Sequence, residues 1–134
     1  MPISDPKDEY KDISANMRQY ENMRFAQLTL FIALTAGLLT VLFTSNPPLS
    51  SLVMFVLKIG GLIVTVVFGI MEERAADYWH HFRRRAVELE KQLGYQQYST
   101  RPARAVISAT NAVRVLYFFM FLFWVITLIW HTRF

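Results

Sequence analysis

From Val66 to Ala76 the chain reads Val66-Val67-Phe68-Gly69-Ile70-Met71-Glu72-Glu73-Arg74-Ala75-Ala76. An apolar run meets a charged one here, and nothing between them stops a helix. Glu, Arg and Ala are good helix formers, and no helix breaker follows until Gly94. One continuous helix is therefore expected to leave an apolar environment near Met71. It should project into water for about four or five turns, with Gly94 as its C-terminal cap.

The apolar part of this helix reaches back to about Leu49 and contains Lys58, Gly60, Gly61 and Gly69. Thr44-Ser45-Asn46-Pro47-Pro48 precedes it. Two consecutive prolines cannot continue a helix, so this short uncharged turn reverses the chain. The stretch Phe25 to Phe43 has no charged residue, and its polar members are Gln27, Thr29, Thr35 and Thr40. At ~1.5 Å per residue it is about as long as a bilayer core is thick, so it reads as the first limb of a transmembrane hairpin. Further upstream, Pro6 to Arg24 has mixed charge, with Tyr10, Ile13, Met17, Tyr20 and Met23 or Arg24 spaced three and four apart. That is a narrow apolar stripe, expected to lie along the membrane surface or to pack on another cytoplasmic helix. Downstream, Tyr95 to Asn111 contains Pro102 and reads as a returning loop. A third span follows from near Ala112 to Ile129 or Trp130, and Trp130 suits an aromatic belt.

The fold class is thus all-α and integral to a membrane. Three transmembrane helices are expected, with a cytoplasmic extension of the second. The segments are an N-terminal amphipathic part at 1–24, a hairpin at 25–71 (spans 25–43 and 49–71), a cytoplasmic helix and loop at 72–111, and a third span with its tail at 112–134. Composition agrees. Of 134 residues 54% are hydrophobic and 15% aromatic, against 18% charged, which is more apolar mass than a soluble domain of this size can hide. No short apolar stretch with a small-residue cleavage site opens the chain, so the first span should serve as an uncleaved anchor. There is no cysteine, which excludes disulfides, thiolate metal sites and a cysteine nucleophile.

The net charge of +4 and pI of about 9.6 are explained by basic residues flanking the spans, where they fix orientation and meet anionic lipid. Nucleic acid is not an expected partner. Lys7, Lys11, Arg18 and Arg24 precede the first span. Arg74, Arg83, Arg84, Arg85, Lys91, Arg101 and Arg104 lie between the second and third, with Arg114 at the membrane edge, while the Pro-Pro turn has none and the C-terminal tail has only Arg133. The N-terminus and the long loop therefore belong in the cytoplasm, and the C-terminus outside.

Lys58 is the formally charged residue well inside a span. Such a group either faces a protein interior or water path, or snorkels to the headgroups on its long stem. Ala33 and Gly37 have the small-xxx-small spacing that lets backbones approach, and Gly60, Gly61 and Gly69 read as helix packing or a hinge. On the projecting helix, Ala75, Trp79, Phe82, Ala86, Leu89 and Leu93 follow at spacings of four, three, four, three and four, a heptad seam flanked by charge. Such a seam must be covered, by the chain's own Tyr10–Tyr20 stripe, by other subunits, or by both. His80 and His81, beside Glu73 and Asp77, lack a further ligand cluster, so no metal site is expected. Arg83-Arg84-Arg85 reads as a solvated face with pairs such as Arg84 with Glu88. No catalytic constellation, phosphate-cradling glycine loop or cofactor motif is present.

Tyr20-Glu21-Asn22-Met23-Arg24 before the first span, the tight Asn46-Pro47-Pro48 turn, and Glu72-Glu73-Arg74 leading to Glu88-Leu89-Glu90 together resemble the SLATT class of bacterial membrane effectors. The resemblance covers Tyr20 to Gly94; the third span lies beyond it. It implies an oligomeric effector in conflict systems that permeabilises the membrane when triggered. The residues themselves point to a non-enzymatic, homo-oligomeric inner-membrane protein acting by assembly, as a pore or membrane-perturbing effector. The rival reading is an accessory or scaffold subunit whose cytoplasmic helix docks a soluble or membrane partner.

Overall fold

The computed structural model of the chain describes residues 5–100 and 108–131. Among them are three α-helices: α1 (Pro6–Thr44), α2 (Ser51–Leu93) and α3 (Ala109–His131). Each contains a stretch long and apolar enough to cross a membrane.

Local chemistry sets the helix ends. All three begin behind a capping side chain. Asp5 Oδ1 accepts the Lys7 N–H at 3.0 Å, Ser50 Oγ the Val53 N–H at 3.4 Å, and Ser108 Oγ the Asn111 N–H at 3.2 Å. Pro6 occupies the first helical position of α1, where its missing N–H costs nothing, and Asp8 and Glu9 favour that positive helix end. The Ser50 cap starts α2 two residues after the expected Leu49, and the Ser108 cap starts α3 three residues before the expected Ala112. α2 stops at Gly94, whose φ of +73° suits a residue without Cβ, and the Tyr95 N–H bonds back to the Glu90 carbonyl at 3.1 Å. α1 runs without a break from the polar stripe into the apolar stretch, so the two segments distinguished in the sequence form one helix of 39 residues. Likewise α2 is one helix of 43 residues through the Met71–Glu72 junction.

The chain divides into two compact units. The polar unit comprises residues 1–25 and 73–106, and the apolar unit 26–72 and 107–134. In the polar unit the first turns of α1 lie on the last turns of α2. In the apolar unit α1, α2 and α3 pack together, with Phe31, Trp124 and Thr65 fully buried.

Candidate functional site: the packed face of the second helix

Counted back in sevens from Leu93, α2 carries Ala86, Trp79, Glu72, Thr65 and Lys58. Counted back in sevens from Leu89, it carries Phe82, Ala75, Phe68 and Gly61. Every one of these positions is buried or half-buried. The heptad register read over Ala75–Leu93 therefore continues through the apolar stretch, where its members include a lysine, a threonine and a glutamate.

In the polar unit this face meets the N-terminal stripe of the same chain. Tyr10, Ile13 and Met17 form one core cluster with Ala86 and Leu89, and Trp79, Phe82, Leu93 and Tyr98 pack against it. Ala75 is also buried. Tyr20 stacks on Tyr78 at a centroid distance of 5.6 Å and tilts against Phe82 at 5.6 Å. The chain's own stripe thus covers the seam at Ala86 and Leu89.

Glu90 closes this unit. It is 1% exposed, and its carboxylate accepts the Tyr10 hydroxyl at 3.0 Å, the Tyr98 N–H at 2.7 Å and the Ser99 N–H at 2.9 Å. Burial alone would raise its pKa, but the donors from Tyr98, Ser99 and Tyr10 outweigh it and hold the carboxyl below its ordinary 4.5. Burial, with the Glu90 carboxylate beside it, pushes the Tyr10 phenol up to about 12. Arg85 grips Glu9 with two bonds, at 2.7 and 3.1 Å, and Glu88 with a third at 3.1 Å. That hydrogen bond from Arg85 lowers the Glu9 pKa. Trp79 Nε1 donates to Glu21 at 3.0 Å. The Arg84–Glu88 pair expected four residues apart is not formed. Glu88 turns to Arg85, because Arg85 already lies fixed beside it on Glu9.

In the apolar unit one aromatic residue from each helix forms a layer. Phe31 of α1 lies 5.8 Å from Phe68 of α2 and 4.6 Å from Tyr117 of α3. Thr35 and Thr65 are buried, and the Thr65 hydroxyl donates to the Gly61 carbonyl at 2.8 Å. Trp124 of α3 is fully buried with its indole against Gly61, so close that a Cβ there would overlap the ring. Lys58 Nζ donates to the Thr127 carbonyl at 3.1 Å. Thr127 sits near the C-terminal end of α3, where the helix dipole is negative. Lys58 is half-buried, and α3 supplies this contact. Glu72 is buried, within electrostatic range of Tyr117.

Gly61 is the sequence-selected small residue that makes a close approach. Gly37, Gly60 and Gly69 would meet no atom within 4 Å if given a Cβ. Ala33 and Gly37 are exposed. Of the arginines counted for orientation, Arg101 and Arg104 lie outside the described residues, as do Pro102 and Arg133.

The fold defines a class: a chain of three helices, each long and apolar enough to cross a membrane, packed along one polar-bearing face of the second. No protein-family model matches it, and no curated protein or solved structure matches it significantly.

Proposed function

We propose that this chain is a non-enzymatic, three-span protein of the bacterial inner membrane that works as an accessory or scaffold subunit. Its polar unit faces the cytoplasm and its C-terminus lies outside. The observation that carries this reading is the closed polar unit. The chain's own Tyr10, Ile13 and Met17 cover the seam at Ala86 and Leu89, and Glu90 bonds to Tyr10 and to the turn after Gly94. A unit whose seam at Ala86 and Leu89 is already covered is suited to present its charged faces to a partner. Orientation rests on the Lys and Arg asymmetry.

A second reading, the oligomeric membrane-permeabilising effector that the SLATT resemblance implies, is favoured by a separate observation. Lys58, Thr65 and Glu72 place polar groups at seven-residue intervals on the packed face of a membrane-crossing stretch. The Phe31–Phe68–Tyr117 layer fills the bundle between Thr65 and Glu72, so permeation would need several copies or a rearrangement.

Dye release separates the two. Full chain reconstituted into liposomes loaded with a small fluorescent dye should retain it at all protein-to-lipid ratios under the scaffold reading. Release that rises steeply with protein density, and is abolished by Lys58→Leu, would replace it with the effector reading. Reporters fused after Phe134 and inserted near Tyr98 should read outside and cytoplasm respectively. The same side for both would overturn the three-span topology.

A further inference from the structure

The polar unit holds a cleft whose charges are arranged for an anion. His80, Arg83, Arg84 and Glu88 of α2 line it together with Tyr98 and Ser99 of the following turn. Three features set its electrostatics. The Arg83 guanidinium is fixed in place, donating to the Tyr98 carbonyl at 3.1 Å and lying over the Trp79 ring at 5.7 Å. Both contacts orient the fork and neither neutralises its charge. Arg84 is exposed and makes no hydrogen bond or ion pair among the described residues. Glu88, the acidic residue on the wall, is drawn to Arg85, which in turn is held on Glu9 by two bonds. The acid that the sequence places to cancel Arg84 is thus engaged elsewhere, and the cleft keeps two guanidinium groups beside an imidazole.

We propose that this cleft binds a phosphoryl group, with Arg83 and Arg84 as the two cationic contacts. A guanidinium presents a planar fork of N–H donors that matches phosphate oxygens in pairs, and a fork already oriented loses less freedom on binding. Arg83 is the preorganised contact, and Arg84 closes on the anion from the solvent side. The inference stands apart from the scaffold and effector readings, since it rests on the cleft's charges alone. The phosphoryl group can come from a soluble phosphate or from an anionic lipid headgroup, and the test distinguishes the two.

Full-length protein in maltoside micelles is titrated against inorganic phosphate, and binding is read from line broadening in phosphorus NMR. In parallel, the protein is extracted from mixed phosphatidylcholine–phosphatidylglycerol vesicles, and the retained phosphatidylglycerol is measured by mass spectrometry. Arg84→Gln removes the unpaired cation without removing a fold contact. Arg84→Glu reverses its sign, and Arg18→Gln, an exposed arginine of α1 in the same unit, is the control. Helicity by circular dichroism should be unchanged in all three. For a soluble source, phosphate broadens with wild type and Arg18→Gln, and Arg84→Gln needs about tenfold more phosphate, as loss of one charge-assisted contact implies. For a lipid source, inorganic phosphate is inert but retained phosphatidylglycerol falls in Arg84→Gln and further in Arg84→Glu, not in Arg18→Gln. If neither readout responds to either Arg84 substitution, or if Arg18→Gln lowers both as much, the cleft is not a phosphoryl site.

Discussion

Helices α1 and α2 pack on each other in both units, by different means. In the polar unit the contact is a seam of apolar side chains bordered by directional bonds: Tyr10 and the Tyr98 and Ser99 amides to Glu90, Arg85 to Glu9, Trp79 to Glu21. In the apolar unit it is a layer of rings, Phe31 on Phe68, and the third helix is held by an indole on a glycine and a lysine on a carbonyl. Water explains the difference. Where water competes, burying Ile13, Met17 and Leu89 provides the driving force, and polar bonds fix the geometry. Within lipid, removing an apolar side chain from an apolar solvent yields little, so close packing and the few available polar groups must specify the partner. The same seven-residue register on α2 serves both units. It is filled with Trp79, Phe82, Ala86 and Leu89 in one and with Lys58, Gly61, Thr65 and Glu72 in the other.

The largest expected effect belongs to the apolar unit. Trp124→Ala empties the site against Gly61 and should destabilise the bundle by about 3–5 kcal/mol, measured by unfolding of the micelle-bound protein in a denaturing detergent titration. A loss below about 1 kcal/mol would mean that ring packing does not hold α3. Next, the glycines should split. Gly61→Ala drives a methyl into the indole and should cost about 1–3 kcal/mol. Gly37→Ala, Gly60→Ala and Gly69→Ala meet open space and should be neutral, or stabilising by up to about 1 kcal/mol. Equal costs at all four positions would dissolve the contrast between Gly61 and the rest.

The polar unit should respond to pH instead. Glu90 and Glu9 have lowered pKa values, so their contribution is present above their ordinary 4.5 and is lost as pH falls through the lower folded values. Tyr10 is raised from 10.0 to about 12, so the stability linked to its proton is present below pH 10 and lost as pH climbs towards 12. Protease cleavage within residues 5–25 should therefore accelerate in strong acid and above pH 10, and stay flat between. Glu90→Gln should flatten the acid limb. An unchanged acid limb in that variant would show that Glu90 is not the closing group. The smallest effect is at Arg85. The Arg85–Glu9 pair is partly open to solvent, so Arg85→Ala should shift the unfolding midpoint less than any of the variants above, and less still at high salt.

The sequence made three apolar stretches, the Pro-Pro reversal and the Ala75–Leu93 periodicity legible, because each is written as contrast: apolar beside charged, or helix former beside helix breaker. The extension of that periodicity to Lys58 was not read, for a physical reason. In a stretch where nearly every residue is apolar, hydrophobicity marks no face, and the packed positions include the polar ones, Lys58, Thr65 and Glu72. Counting back in sevens from Trp79 would have found them. Glu90 hid for the opposite reason. It neighbours Glu88 and Lys91 and looks like one more solvated charge, and only the positions of Tyr10, Tyr98 and Ser99 show that it is buried. The Arg84–Glu88 expectation failed because helix spacing says which side chains can meet, whereas the distant Glu9 decides which do.

The central claim is that the polar seam of α2 is closed within one chain. Its direct test is the absolute mass of the purified protein–detergent complex by light scattering, compared between wild type and the double variant Phe82→Glu, Leu89→Glu. Both substitutions fall in the polar unit and leave the apolar stretches untouched. Intrachain closure predicts the same protein mass in both, with faster proteolysis of the N-terminal residues 5–25 in the variant as the stripe loses its cover. A fall to a smaller mass would contradict it, and would make the seam a contact between subunits.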